Sequence, residues 1–346
     1  MRDFFYSRRN NLKNIAKVIM VIMGTLIGAG FASGQEIYSF FYSYGIIGIV
    51  GIIVTCGLIG LMIYKSLKII CSKEINSYDE ILRIFIKNER VTKIINMILN
   101  ILLLVTFYIM IAGFGAYFEQ ELGIHRVIGN IILAILTTIV FFTSVKGVLR
   151  VSEYIVPILI IFIVLVGITN LLTINPEIEL PVMKRGWFLS SITYCSYNII
   201  LLIPALISLR KQITDQKNIK YVSILCSVIM ITISILIYML LMKADVDISK
   251  LEMPVVYVIS NFFSKYKMIY AFIILASIFT TAISIGIGFL QNTSKNKTNY
   301  IQLVVFMCIT SLIIANFGFS KLVNFVYPLF GYIGIIQLTC LIKWVE

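Results

Sequence analysis

Charge is scarce in this chain. Only 13% of its 346 residues are charged, with 16 Asp and Glu against 29 Lys and Arg, and 60% are hydrophobic. A mean hydropathy of +0.98 exceeds what the core of a soluble domain of this length requires, so the composition excludes that class and leaves a membrane protein. Histidine is nearly missing: His125 stands alone, there is no HExxH, no pair of acids within an apolar run and no thiol beside a base. Without those constellations an enzyme is not expected. Five of the six cysteines (Cys56, Cys195, Cys226, Cys308 and Cys340) fall inside apolar runs, and Cys71 lies in a basic loop. None stands at metal-ligand spacing, so neither disulfide nor zinc is indicated.

What the chain has instead is a series of apolar runs near the length that crosses a bilayer, and in hydrocarbon such a run satisfies its backbone only as a helix. Spanning segments are expected at about residues 14–43, 45–68, 93–118, 127–145, 151–173, 187–208, 221–242, 267–290, 299–316 and 321–342. The first lacks a small-residue cleavage site and is interrupted by glycines, which makes it a span rather than a signal peptide. With both termini cytoplasmic, the inner loops and tails hold all but eight of the 29 basic residues. The outer side then collects Glu119, Glu121, Glu177, Glu179, Asp245, Asp247 and Glu252. The net charge of +13 is thereby explained by topology, and no nucleic-acid partner is expected. Two stretches do not span. Residues 72–92 suggest a short helix on the inner surface, and 243–266 contains an apolar MPVVYVISNFF portion suited to cover an outer vestibule.

The first segment, VIMGTLIGAGFASGQEIYSFF, is punctuated by Gly24, Gly28, Gly30 and Gly34. Gly28-Ala29-Gly30 is a place to unwind, and a break there leaves the positive end of the second half-helix facing the gap, where a carboxylate fits. The same glycines also have the small-xxx-small spacing of tightly crossed helices. Gln35-Glu36 favours the first reading, since a carboxylate two turns into a bilayer marks an aqueous site, unless headgroups wet it. The sixth segment carries Tyr194, Cys195, Ser196, Tyr197 and Asn198 at its middle, which suggests either a second discontinuity or hydrogen bonding between continuous helices.

GTLIGAGFASGQE followed by FFYSYGIIG resembles the signature of the YkvI family of uncharacterised bacterial membrane proteins, in the amino acid-polyamine-organocation superfamily with the LeuT-type fold. The resemblance implies an all-α polytopic protein of ten transmembrane helices. They would form a five-plus-five inverted repeat, about 14–173 and 187–342, with helices one and six broken around the substrate. It implies a secondary transporter of a small amino-acid-like solute in the plasma membrane, working by alternating access. Gly28, Ala29 and Gly30 would hold the solute carboxylate, Cys195, Ser196 and Tyr197 would line the unwound part of helix six, and Phe107 or Tyr108 would form a lid. Glu36 would bind the solute amine, carry a coupling proton or stabilise the half-helix end. A coupling sodium ion, the one bound species expected besides solute and lipid, would sit on the carbonyls of Gly24 and Ile27 with Ser277, Thr280 and Thr281. Ser277, Thr280, Thr281 and Ser284 do share one helix face, though such hydroxyls also bond back to their own helix. Relatives in the superfamily serve as germinant-receptor subunits, so a receptor without transport is the alternative. ASGQE after the break departs from the better-known permeases, whose substrate preferences therefore do not carry over.

Overall fold

The computed structural model describes residues 2–86, 88–143, 145–173, 182–213 and 216–344. Among them every regular element is helical: α1 (Arg2–Leu26), α2 (Ala29–Ala32), α3 (Gln35–Phe40), α4 (Ile47–Ser72), α5 (Tyr78–Phe85), α6 (Glu89–Leu122), α7 (Arg126–Phe142), α8 (Val145–Leu172), α9 (Trp187–Leu209), α10 (Gln216–Leu241), α11 (Pro254–Phe262), α12 (Lys267–Thr293), α13 (Lys297–Ile314) and α14 (Phe319–Lys343). Eight of these are long and apolar enough to cross a membrane: α4, α6, α8, α9, α10, α12, α13 and α14. Two more apolar stretches, Asn14–Leu26 and Arg126–Phe142, are shorter. Glu177 and Glu179 lie outside the described residues.

α5, α6 and α13 start at a side-chain cap, and α6 ends at a glycine. Ser77 accepts a hydrogen bond from the Glu80 amide, Asn88 from the Arg90 amide and Asn296 from the Asn299 amide. Gly123 closes α6 in the left-handed region at φ 66°. Side chains facing away from the bundle are apolar and exposed, Leu165 at 59% and Ile336 at 63%, as lipid contact requires. Inside, small residues let backbones approach: a β-carbon at Gly331 of α14 would meet the Thr193 carbonyl oxygen of α9 at 2.5 Å. α9 is the hub, packed between α4 and α14, while α6 and α12 pair on another side of the bundle.

Helix one is interrupted as its glycines predict. α1 ends at Leu26, Gly28 is extended (φ −84°, ψ −174°), a single turn forms α2, and Gly34 at φ 82° starts α3. Helix six is not broken. α9 runs unbroken from Trp187 to Leu209, which corrects the expectation of paired discontinuities. The reason is local. Ser196 Oγ donates to the Ile192 carbonyl at 2.8 Å, Asn198 Nδ2 to Tyr194 at 2.9 Å and Thr193 Oγ1 to Leu189 at 3.0 Å. Polar side chains that bond to their own helix need no unwinding, and the segment contains no glycine to permit it.

The two non-spanning stretches also form helices. In α5, Ile81 and Leu82 are buried while Asp79, Glu80 and Arg83 are exposed, an amphipathic arrangement. Tyr78 ties it to the bundle by donating to Gln337 Oε1 of α14 at 2.7 Å. α11 lies within 243–266 and is docked on the break itself.

Candidate functional site

The break frees backbone groups in a region where few alternatives exist. Among the described residues no acceptor is found for the amides of Gly28, Ala29, Gly30 and Phe31, and the regular helical partners of those amides, the carbonyls of Gly24 to Ile27, receive no main-chain bond. Other groups near the gap are held. Ser33 Oγ donates to the Gly30 carbonyl at 2.9 Å, and the Tyr270 hydroxyl of α12 donates to the Ala32 carbonyl. Ser33 itself presents its carbonyl to the Val255 amide of α11 at 2.9 Å. Gly34 is required at this junction twice over. Its φ is positive, and a β-carbon would meet Val255 Cγ2 at 2.5 Å. α11 is pinned on its other side by Gln120 of α6, whose amide exchanges two hydrogen bonds with the Met253 backbone, at 2.9 and 3.1 Å.

Glu36 folds back over the gap. It is 3% exposed, its Oε2 accepts a hydrogen bond from Tyr194 at 2.7 Å, and a β-carbon at Gly30 would overlap Oε1 and lie 3.0 Å from the carboxyl carbon. Gly30 is therefore small because Glu36 occupies the space beside it. Among the described residues no cation pairs with this carboxylate. A buried carboxyl group with no cation is found in membrane proteins chiefly where a ligand, ion or proton completes it.

Aromatic rings enclose the carboxylate. Tyr194 packs on Phe40 (4.9 Å between centroids) and edge-on to Phe41 (5.2 Å), and it neighbours Tyr197 at 6.3 Å. Tyr197 in turn stacks on Tyr327 of α14 at 4.3 Å. Beside Glu36, Gln35 Nε2 donates to Asn324 Oδ1 of α14 at 3.2 Å, Ser39 bonds to the same oxygen, and Gln35 Oε1 is buried with no partner. Asn324 and Ser39 line a cavity of about 490 Å³ whose other walls include Ser43, Ser190, Thr193 and Tyr332. This lining is rich in hydroxyls and carries no charge.

Gly28, Ala29, Gly30, Glu36 and Tyr197 are thus gathered at one place, together with Tyr194, Tyr327, Gln35 and Asn324. The remaining predicted solute residues face elsewhere. Tyr108 shares a hydrogen bond of 2.6 Å with Thr310 of α13. Cys195 is buried beside Cys56 of α4, and the Ser196 carbonyl backs onto Gly334 of α14. Of the residues expected to hold sodium, Ser277 and Thr280 are buried on α12, which packs against α2. Thr280 spends its hydroxyl on the Ala276 and Ser277 carbonyls, at 3.0 and 3.2 Å. Thr281 is partly buried. Gly24 faces α8, where a β-carbon would meet Val156 Cγ2 at 3.3 Å, and its carbonyl and that of Ile27 receive no hydroxyl from α12. Sequence reasoning passed over Asn324 and Tyr327. Their signal is a polar side chain in the otherwise apolar run KLVNFVYPLF.

A multi-pass α-helical membrane protein with a broken first helix closed around a carboxylate is the class these features define. No family profile matches the chain. It is 32% identical over 328 residues to the uncharacterised membrane protein YkvI of Bacillus subtilis, covering 92% of this chain and 93% of that protein. It is 25% identical over 333 residues to the uncharacterised protein YyaD of the same organism, covering 95% and 96%. The chain belongs to the YkvI family.

Proposed function

We propose that the protein is a secondary active transporter of a small amino-acid-like solute in the plasma membrane. In this reading the two shorter apolar stretches complete ten spans of a LeuT-type five-plus-five repeat, both termini are cytoplasmic, and the protein is not an enzyme. The observation that carries the proposal is Glu36, buried at the helix interrupted by Gly28 and without a cation among the described residues. A solute amine supplies the missing charge, and the free amides of Gly28 and Ala29 receive its carboxylate. The continuity of α9 confines unwinding to helix one, so the aromatic wall of Tyr194, Tyr197 and Tyr327 replaces the second break as the opposite side of the site.

Sodium is the proposed coupling ion, at Gly24, Ile27, Ser277, Thr280 and Thr281. A potential of about 100 mV contributes about 2.3 kcal/mol per charge moved, enough with a tenfold sodium gradient for accumulation of a few hundredfold. Proton coupling through Glu36 is a second reading, favoured by the burial of its carboxyl group and the absence of a cation beside it among the described residues. Uptake of labelled amino acids into proteoliposomes, with sodium or potassium outside, tests both. Accumulation that requires sodium supports the first reading, and sodium-independent accumulation driven by a pH gradient supports the second. Binding without accumulation would make the protein a receptor.

A further inference from the structure

A second cavity, sharing no residue with the one beside the break, lies between the amino-terminal half of α6 and the carboxy-terminal end of α12. It holds about 380 Å³. Its walls are apolar along Met97, Ile101, Leu104 and Phe289, and Lys93 stands at one end. Met97 and Ile101 are 58% and 45% exposed, so the groove opens sideways, toward the surface that lipid covers. Two polar groups inside it are out of place in such a wall. Asn100 Oδ1 and Thr293 Oγ1 are buried and have no hydrogen-bond partner among the described residues. Nor does Lys93 have an ion-pair partner among the described residues. Asn96, which also lines the groove, is already committed to Asp79.

An orphaned amide and hydroxyl in an apolar groove carry a desolvation cost that a ligand reaching them removes. The required ligand has an anion at the Lys93 end, polar acceptors one to two turns deeper and an apolar tail beyond. From Lys93 to Leu104 the helix rises about 16 Å, room for much of an acyl chain. The amide of Asn100 presents either its oxygen or its nitrogen to the groove by a flip, and the Thr293 hydroxyl is free to donate. Arg90 at the start of α6, with Lys295 and Lys297 just after α12, adds to the positive charge of the sequence around this end. We propose that this groove is a binding site for an anionic diacyl phospholipid. Its phosphate pairs with Lys93, its ester carbonyls accept from Asn100 and Thr293, and one chain lies along Met97, Ile101 and Phe289.

The test is native mass spectrometry of the full-length detergent-purified protein, titrated with phosphatidylglycerol or with phosphatidylcholine of identical chains. The first phosphatidylglycerol is expected to bind about fivefold or more tighter than the first phosphatidylcholine. Lys93→Glu should weaken it about thirtyfold, two charge equivalents, while Lys93→Arg keeps it. Asn100→Leu with Thr293→Val should weaken both lipids alike. Equal affinity for the two lipids overturns the proposal, as does a Lys93→Glu protein that binds phosphatidylglycerol like the parent. Displacement of bound phosphatidylglycerol by soluble glycerol phosphate at matched concentration also overturns it, because the occupant would then be a free phosphate ester. If Lys93→Glu fails to fold by its melting curve, the parent's preference between the two lipids and the Lys93→Gln variant decide.

Discussion

In α1 to α3 the mid-helix polar residues come with glycines, and in α9 they do not. Gln35 and Glu36 follow Gly28, Gly30 and Gly34, and there the chain gives up its helical bonds and turns a carboxylate back over the gap. In α9, Thr193, Ser196 and Asn198 keep the helix intact by bonding to the carbonyls four residues before them. The same polarity in the same hydrocarbon setting therefore has two outcomes. What divides them is whether the backbone is permitted to leave the helix, and whether the polar group is short enough to be satisfied at home. Glu36 is not. Its carboxylate finds its partner on another helix, at Tyr194.

Substitutions break or sharpen this contrast. The largest effect is expected from Gly30→Val, whose side chain overlaps the Glu36 carboxyl group. Solute uptake in proteoliposomes should be abolished, and overpacking of about 1 to 3 kcal/mol should lower the melting temperature in detergent. A Gly30→Val protein that transports normally would make the glycines packing residues only. Tyr194→Phe removes one hydrogen bond to the carboxyl group while leaving the ring in place. It should weaken solute binding or stability by about 1.5 to 3 kcal/mol, measured as apparent affinity in uptake and as melting temperature. Thr281→Ala bears on sodium and should raise the sodium concentration for half-maximal uptake about tenfold to a hundredfold, with little change in solute binding at saturating sodium. The smallest effect belongs to α9. Ser196→Ala deletes a hydroxyl bonded to its own helix, so uptake should match the parent and melting should fall by no more than about 0.5 to 1.5 kcal/mol.

Much of the bundle was legible in the chain because hydrocarbon imposes one solution on a long apolar run. The expected segments coincide with α4, α6, α9 and α12 within a few residues, and the interruption falls among the glycines, although it is Gly34, at φ 82°, rather than the extended Gly28 that uses glycine's freedom. The error at segment six has a definite source. A cluster such as Tyr194 to Asn198 has the same composition whether its groups bond to their own helix or to a ligand, and only three-dimensional placement separates the two. Glu36 was visible as an acid in an apolar run. Its surroundings were not, because Asn324 and Tyr327 arrive from a helix nearly 300 residues away, with Gln35 and Asn324 separated by 289 positions. Tyr108 illustrates the converse: its position on α6 suited a lid, but its hydroxyl had a nearer partner in Thr310.

The junction of α11 with the break has a mechanical consequence. The Val255 amide holds the Ser33 carbonyl, and Gly34 is shaped to the Val255 side chain, so the joint between α2 and α3 cannot shift without dragging α11. α11 is thus a handle on the interior. An antibody fragment gripping the exposed end of α11 at Asn261 and Phe262 would restrain the segment after the gap without entering the protein, and a spectroscopic probe placed there would report its movement as a signal at the surface.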